Sequence, residues 1–226
     1  VTLARVTALF FSPIELSVDE AQYWHWSRTL EWGYFTKPPI IAWSIALSTS
    51  IFGQEEWAVR LSSPIIHFLI SIILWIASQS FFDSKSGKIT ALIWISTPVA
   101  SLGSFIISTD TPLLLFWSLA LIFLIKLIKT RSLPYSILIG VTIGLGFLSK
   151  YASLFFFISL ALWWLIYDRG KTLEIKSIIL ITLFTFIVAG GNLYWNYEND
   201  FATINHTISN ADLENIIFNH KNMIEF

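Results

Sequence analysis

A chain of 226 residues with 55% apolar side chains, 13% charged ones and a mean hydropathy of +0.67 is too apolar for a water-soluble domain of this length. Its formal net charge of −1 supplies no bulk field for nucleic acid, which is not expected as a partner. The absence of cysteine excludes disulfides, zinc–thiolate centres and thiol nucleophiles.

In chain order, the first apolar run, residues 1–13, is too short to cross a hydrocarbon core of ~30 Å and reads as the end of a truncated first span. Residues 221–226 stop without a capping or tail signal, so the expectation is a piece of a longer protein, and one inactive on its own. Next comes the main polar stretch, Ser17-Val18-Asp19-Glu20-Ala21-Gln22-Tyr23-Trp24-His25-Trp26-Ser27, closed by Gly33-Tyr34-Phe35-Thr36-Lys37-Pro38-Pro39. Residues 38–53 are apolar but shorter than the roughly 20 residues of a span, and a double proline at their start suits a helix lying in the interface. Further apolar runs cover 57–82, 89–108, 111–128, 135–167 and 177–195. The run 135–167 would reach ~50 Å as a single helix, so it is expected to divide at Ser149-Lys150. The fold class is therefore all-α, a polytopic membrane bundle. Residues 16–56 form a first outer loop with interfacial helices, 57–195 the membrane helices, and 196–226 the start of a further outer loop. Gly140-x-x-x-Gly144 gives one helix a small face for close packing in lipid.

The connections 83–88, 126–131 and 169–176 hold eight of the 14 Lys and Arg, and all share one side if 38–53 does not cross. By the positive-inside rule that side is cytoplasmic. The opposite face then collects the 16–37 loop, Asp110, Lys150 and 12 of the 15 acids.

Several outer residues can carry chemistry, and each has a plainer role beside it. Ser17-x-x-Glu20 is a capping-box pattern, so Glu20 can hold a helix end while Asp19 acts as a general base. Asp110 is either an N-cap before Pro112 or a second carboxylate near Asp19. Lys37, stiffened by the prolines after it, and Lys150, at a helix break, suit a lipid-linked phosphate or simply snorkel. Arg60 is a third outer cation, for which snorkelling is the simpler reading. Tyr23 and Trp24 are either interfacial-belt aromatics or a surface for sugar or isoprenoid. Asn196 and His206 belong to a stretch of amides, acids and aromatics that fits a sugar site or an ordinary wet loop. His25 has no second histidine at helical spacing, so no metal-ligand set is read.

Taken together, Asp19-Glu20-Ala21-Gln22-Tyr23-Trp24, Gly33 to Trp43, Ala58-Val59-Arg60-Leu61, Ser108 to Leu113, Gly144 to Tyr151 and Trp195-Asn196 resemble, in order along the chain, the protein O-mannosyltransferase-like group of GT-C glycosyltransferases. That group includes the aminoarabinose transferases of lipid A. The resemblance implies a GT-C membrane bundle in a bacterial inner membrane with its active face periplasmic. It implies inverting transfer from a polyprenyl-phosphate-linked sugar to an acceptor that is protein, lipid A or another glycan. Asp19 then corresponds to the acid proposed to deprotonate the acceptor, Lys37 to the lysine that meets donor phosphate, and Asp110 to a second outer acid. No redox cofactor is required, and a divalent metal is compatible. Two other classes compete: a secondary transporter, disfavoured because the acids cluster in outer loops and no halves repeat, and a non-catalytic membrane assembly subunit.

Overall fold

The computed structural model describes residues 1–168, 170–171 and 173–210, whose regular structure is helical. A short helix α1 (Thr2–Phe10) leads into the polar stretch, which folds as α2 (Val18–Trp26) behind a capping box. The Ser17 side chain accepts from the Glu20 N–H while the Glu20 carboxylate accepts from the Ser17 N–H, so both ends of the motif are satisfied.

α3 (Ile40–Phe52) begins after Pro39 and ends at Gly53, whose φ of 90° favours glycine. Its 13 residues reach only about 20 Å, too short to cross, in keeping with an interfacial element. α4 (Glu56–Arg60) and α5 (Ser62–Phe81) then run as one membrane-length segment, Glu56–Phe81. Three more segments are long and apolar enough to cross: α8 (Asp110–Thr130), Tyr151–Asp168 around α10 (Leu154–Trp163), and α11 (Ile175–Glu198).

The long run 135–167 divides where expected. α9 (Pro134–Ser149) stops at Lys150, whose backbone is extended, and a short 3₁₀ turn, Tyr151–Ser153, leads into α10. The run 89–108, by contrast, is two helices, α6 (Ser84–Ser96) and α7 (Pro98–Gly103). Pro98 has no N–H to continue α6, and Thr97 caps the new helix through the Ala100 N–H. Arg5 fills the break: its guanidinium donates to the Ile95 carbonyl at 2.5 Å and to the Ser101 and Ser104 hydroxyls. The expected outer loop from residue 196 begins with helical structure. α11 continues to Glu198, the chain turns through Asp200 and Phe201 at positive φ, and α12 (Ala202–Asn210) follows. The rest of that expected loop, 211–226, lies outside the described residues.

The helices pack as a row in which α9 lies between α11 and α8, α8 meets α5, and α5 meets α6. The small face of α9 is what lets α11 come close. A Cβ on Gly140 would stand 2.5 Å from the Ile181 carbonyl oxygen, and one on Gly144 2.7 Å from the Val188 Cβ. Thr185 reinforces the seam by donating to the Gly140 carbonyl at 3.2 Å. At one end of the row the basic connections meet: Lys129 reaches the Ser80 carbonyl and the Phe81 ring, and Arg131 reaches the Lys171 carbonyl.

Candidate active site

The other end of the row gathers the polar loops, and its centre is a buried ion pair. Glu20 is 1% exposed, and its carboxylate takes two 2.8 Å bonds from Arg60, one from the Ile107 N–H at 3.1 Å and one from the Ser17 N–H. Burial alone would raise the Glu20 pKa, but the bonds from Arg60, Ser17 and Ile107 outweigh it and hold the group below the ordinary carboxylate range. Arg60 in turn donates to the Ile14 and Glu15 carbonyls and is 4% exposed. Arg60 therefore does not snorkel, and its charge is committed to Glu20 rather than open to a donor phosphate. Glu20 likewise is a structural anchor, tying α2, α4 and the segment before α8 together.

The anchor sets the groups around it. Asp19, one position earlier on α2, is exposed and accepts no hydrogen bond among the described residues. Ile107, bonded to Glu20, lies just ahead of Asp110 at the start of α8. Tyr23 stands one turn along α2 from Asp19. Its phenol is pushed up to about 12, first by burial and then by the negative charge of Asp19, Asp110 and Glu20, so all three carboxylates lie within electrostatic reach of one hydroxyl. Tyr23, Trp26 and Tyr34 form an aromatic row with centroid spacings of 5.7 and 4.9 Å, the second pair stacked.

Asp110 is not alone: Lys150 Nζ lies 2.7 Å from its Oδ1, with the two side chains 40% and 57% exposed. The pair is open to solvent, so either partner can exchange it for a ligand at little cost. Lys37 is half-buried and has no side-chain partner among the described residues, which leaves its ammonium the uncommitted cation of the three predicted.

The loop that carries Lys37 is fixed from behind. Asn192 donates to the Trp32 carbonyl at 2.7 Å, Thr203 donates to the Tyr34 carbonyl, and the Trp195 indole donates to the Glu31 carboxylate at 2.6 Å. Gly33 makes the docking possible, since a Cβ there would fall 2.4 Å from the Trp195 ring. Asn196 belongs to this support: it is fully buried and its amide bonds to Tyr151 and Asn192, so a sugar contact by Asn196 does not fit its position. Trp24 points to the far end of α2, where its indole donates to Gln54. His206 packs against Phe35 at 5.6 Å and approaches Asn210, on the edge of an open hollow of about 570 Å³ between α12 and the Lys37 loop. Sequence reading placed Asn192 in the amide-rich stretch that fits a sugar site and missed its supporting role, and missed Thr203 altogether, because their partners lie 160 and 169 residues away. Among the described residues no three His, Asp or Glu side chains gather as a metal-binding set.

Comparison with known proteins supplies the family. Residues 36–195 match the model of the dolichyl-phosphate-mannose-protein mannosyltransferase family. The chain is 34% identical, over all 226 residues, to 48% of the lipid A galacturonosyltransferase RgtD of Rhizobium johnstonii. It is also 27% identical over 121 residues, 52% of the chain and 23% of the relative, to an undecaprenyl phosphate-alpha-4-amino-4-deoxy-L-arabinose arabinosyl transferase of Pseudomonas savastanoi. The crystal structure of ArnT from Cupriavidus metallidurans bound to undecaprenyl phosphate superposes with a TM-score of 0.70 at 18% identity, covering 97% of this chain and 43% of that one. The chain thus spans about half, or less, of the length of these proteins.

Proposed function

Because the chain belongs to the dolichyl-phosphate-mannose-protein mannosyltransferase family of GT-C glycosyltransferases, the one its motifs resemble, we propose that it carries the polar face of a membrane glycosyltransferase. This enzyme moves a sugar from a polyprenyl-phosphate donor to an acceptor hydroxyl or phosphate on the non-cytoplasmic side, with inversion. The observation that carries the reading is that two exposed carboxylates, Asp19 and Asp110, both lie within electrostatic reach of Tyr23, with Lys150 2.7 Å from the second.

Inversion is a single displacement. The acceptor oxygen bonds to the anomeric carbon as the bond to the donor phosphate oxygen breaks. A hydroxyl acceptor must lose its proton as it attacks, and Asp19, exposed and without a partner, is the base that takes it. A phosphate acceptor already carries its charge and needs only orientation. The departing polyprenyl phosphate gains negative charge, which cations stabilise most when they are not already neutralised. Lys37 fits that role directly, and Lys150 on exchanging Asp110 for phosphate. Tyr23 is buried and kept protonated at neutral pH, so it adds no charge of its own beside the two acids. Lipid A is named for the galacturonosyltransferase relative and undecaprenyl phosphate is the lipid bound by the ArnT structure, so lipid A is the first acceptor to try and an undecaprenyl-phosphate-linked sugar the first donor.

The test uses membranes containing the full-length parent protein and a radiolabelled polyprenyl-phosphate sugar, comparing wild type with Asp19→Asn. Transfer is expected to fall by ~100-fold or more, within the range for removal of a general base, while donor binding persists. Unchanged transfer would overturn Asp19 as the base.

A further inference from the structure

The far end of α2 holds a second polar feature that the proposed transfer does not use. Between the segment following α2 and the outer half of α3 lies a groove of about 480 Å³, lined by Ser27, Arg28, Leu30, Trp43, Leu47 and Gln54 among others. Its lining has one cation and no acid. The Arg28 guanidinium lies over the Trp24 ring at 5.8 Å, and that ring is itself fixed by its 2.9 Å bond to Gln54. Arg28 is exposed and, among the described residues, has no side-chain hydrogen bond or ion pair, so its planar set of N–H donors is unused.

The rest of the groove is apolar in one direction only. Leu30 and Leu47 are 58% and 66% exposed, and Ile51 and Phe52 continue that strip along α3, which is too short to cross a membrane. An unpaired guanidinium over a tryptophan ring, beside an apolar strip, matches a phosphate headgroup with an acyl chain below it, since the planar fork donates to two phosphate oxygens at once. We propose that this groove binds the headgroup of an anionic membrane phospholipid, with Arg28 on the phosphate and the acyl chain along Leu30 and Leu47. The site is separated from Asp19 by the length of α2, about 13 Å for its 9 residues, and is independent of the transfer reaction.

The full chain, stripped of lipid in detergent, is titrated with short-chain phosphatidylglycerol or phosphatidylcholine, and bound lipid is counted by native mass spectrometry. Wild type is expected to hold phosphatidylglycerol in preference, Arg28→Gln to lose roughly tenfold of it, as for one charge-assisted contact, and Lys88→Gln, on the basic face, to lose none. Equal retention of the two lipids, undiminished binding by Arg28→Gln, or an equal loss in Lys88→Gln would overturn the proposal. Displacement of the lipid by inorganic phosphate at the same concentration would also overturn it, by showing a bare anion site.

Discussion

Asp19 and Glu20 are adjacent carboxylates with opposite surroundings, one exposed and unbonded, the other enclosed with Arg60 and two backbone N–H groups. Neutralising them should therefore separate activity from stability. Glu20→Gln leaves the Arg60 charge buried without its counter-charge and is expected to destabilise the protein by ~3–5 kcal/mol, against a change within ~0.5 kcal/mol for Asp19→Asn, as read by unfolding in detergent. A smaller loss for Glu20→Gln than for Asp19→Asn would refute the assignment. The same pair sets a pH dependence. Glu20 is held below its unfolded value, so its contribution is fully present above the ordinary carboxylate range of ~4.3 and is lost as pH falls through the lower folded value. Stability of the wild type should fall over that acid window, and Glu20→Gln should flatten the fall. At this scale the sequence was half legible. Ser17-x-x-Glu20 announced a cap because capping is local, but Arg60 is 40 residues from its partner, and nothing near it told a buried pair from a snorkelling cation.

Local rules govern which elements could be foreseen. The break at Lys150 was readable from the length of the run and its polar pair Ser149-Lys150, and the break at Pro98 carried a signal of its own, a threonine cap followed by proline at the first helical position, inside a run whose hydrophobicity masked it. The extension of α11 beyond Asn196 was not readable, because burial of Asn192 and Asn196 against Tyr151 and the Trp32 loop decides it. The glycine face of α9 predicts its own test. In Gly144→Val the new side chain meets Val188 and the Thr185 carbonyl, neither of which can swing aside, so α9 and α11 must part at a cost of ~1–3 kcal/mol. The loop carrying Lys37 is anchored differently, by single polar contacts. Asn192→Leu removes the bond to the Trp32 carbonyl, and amide exchange over 31–37 is expected to speed up while that of α9 stays unchanged. Unaltered exchange in the loop would mean that Trp195 and Gly33 hold it without the asparagine.

Across the whole molecule the two ends of the helix row are chemically unlike, and cross-links between connections define each. Lys129 with Ser80 and Arg131 with Lys171 join the basic connections at one end, while Glu20 with Ile107, Lys150 with Asp110 and Thr203 with Tyr34 join the polar loops at the other. By the positive-inside rule the Lys- and Arg-rich end is expected in the cytoplasm, the orientation that the proposed function requires. That orientation depends on α3 remaining in the interface, because a crossing there would bring the Asp19 loop to the side of the basic connections. The absence of native cysteine makes the point measurable with single replacements at exposed positions. Thr29→Cys, ahead of α3, and Asn199→Cys, after α11, are expected to react with an impermeant maleimide added outside intact cells. Ser84→Cys and Arg131→Cys should react only after the membrane is opened. Thr29 reacting together with Ser84 would make α3 a span and move Asp19 to the cytoplasmic face, away from a donor presented outside. Reaction of Thr29 with Asn199 instead would put the carboxylates, Lys37 and the Arg28 groove on one membrane surface, as the proposed transfer from a lipid-linked donor outside requires.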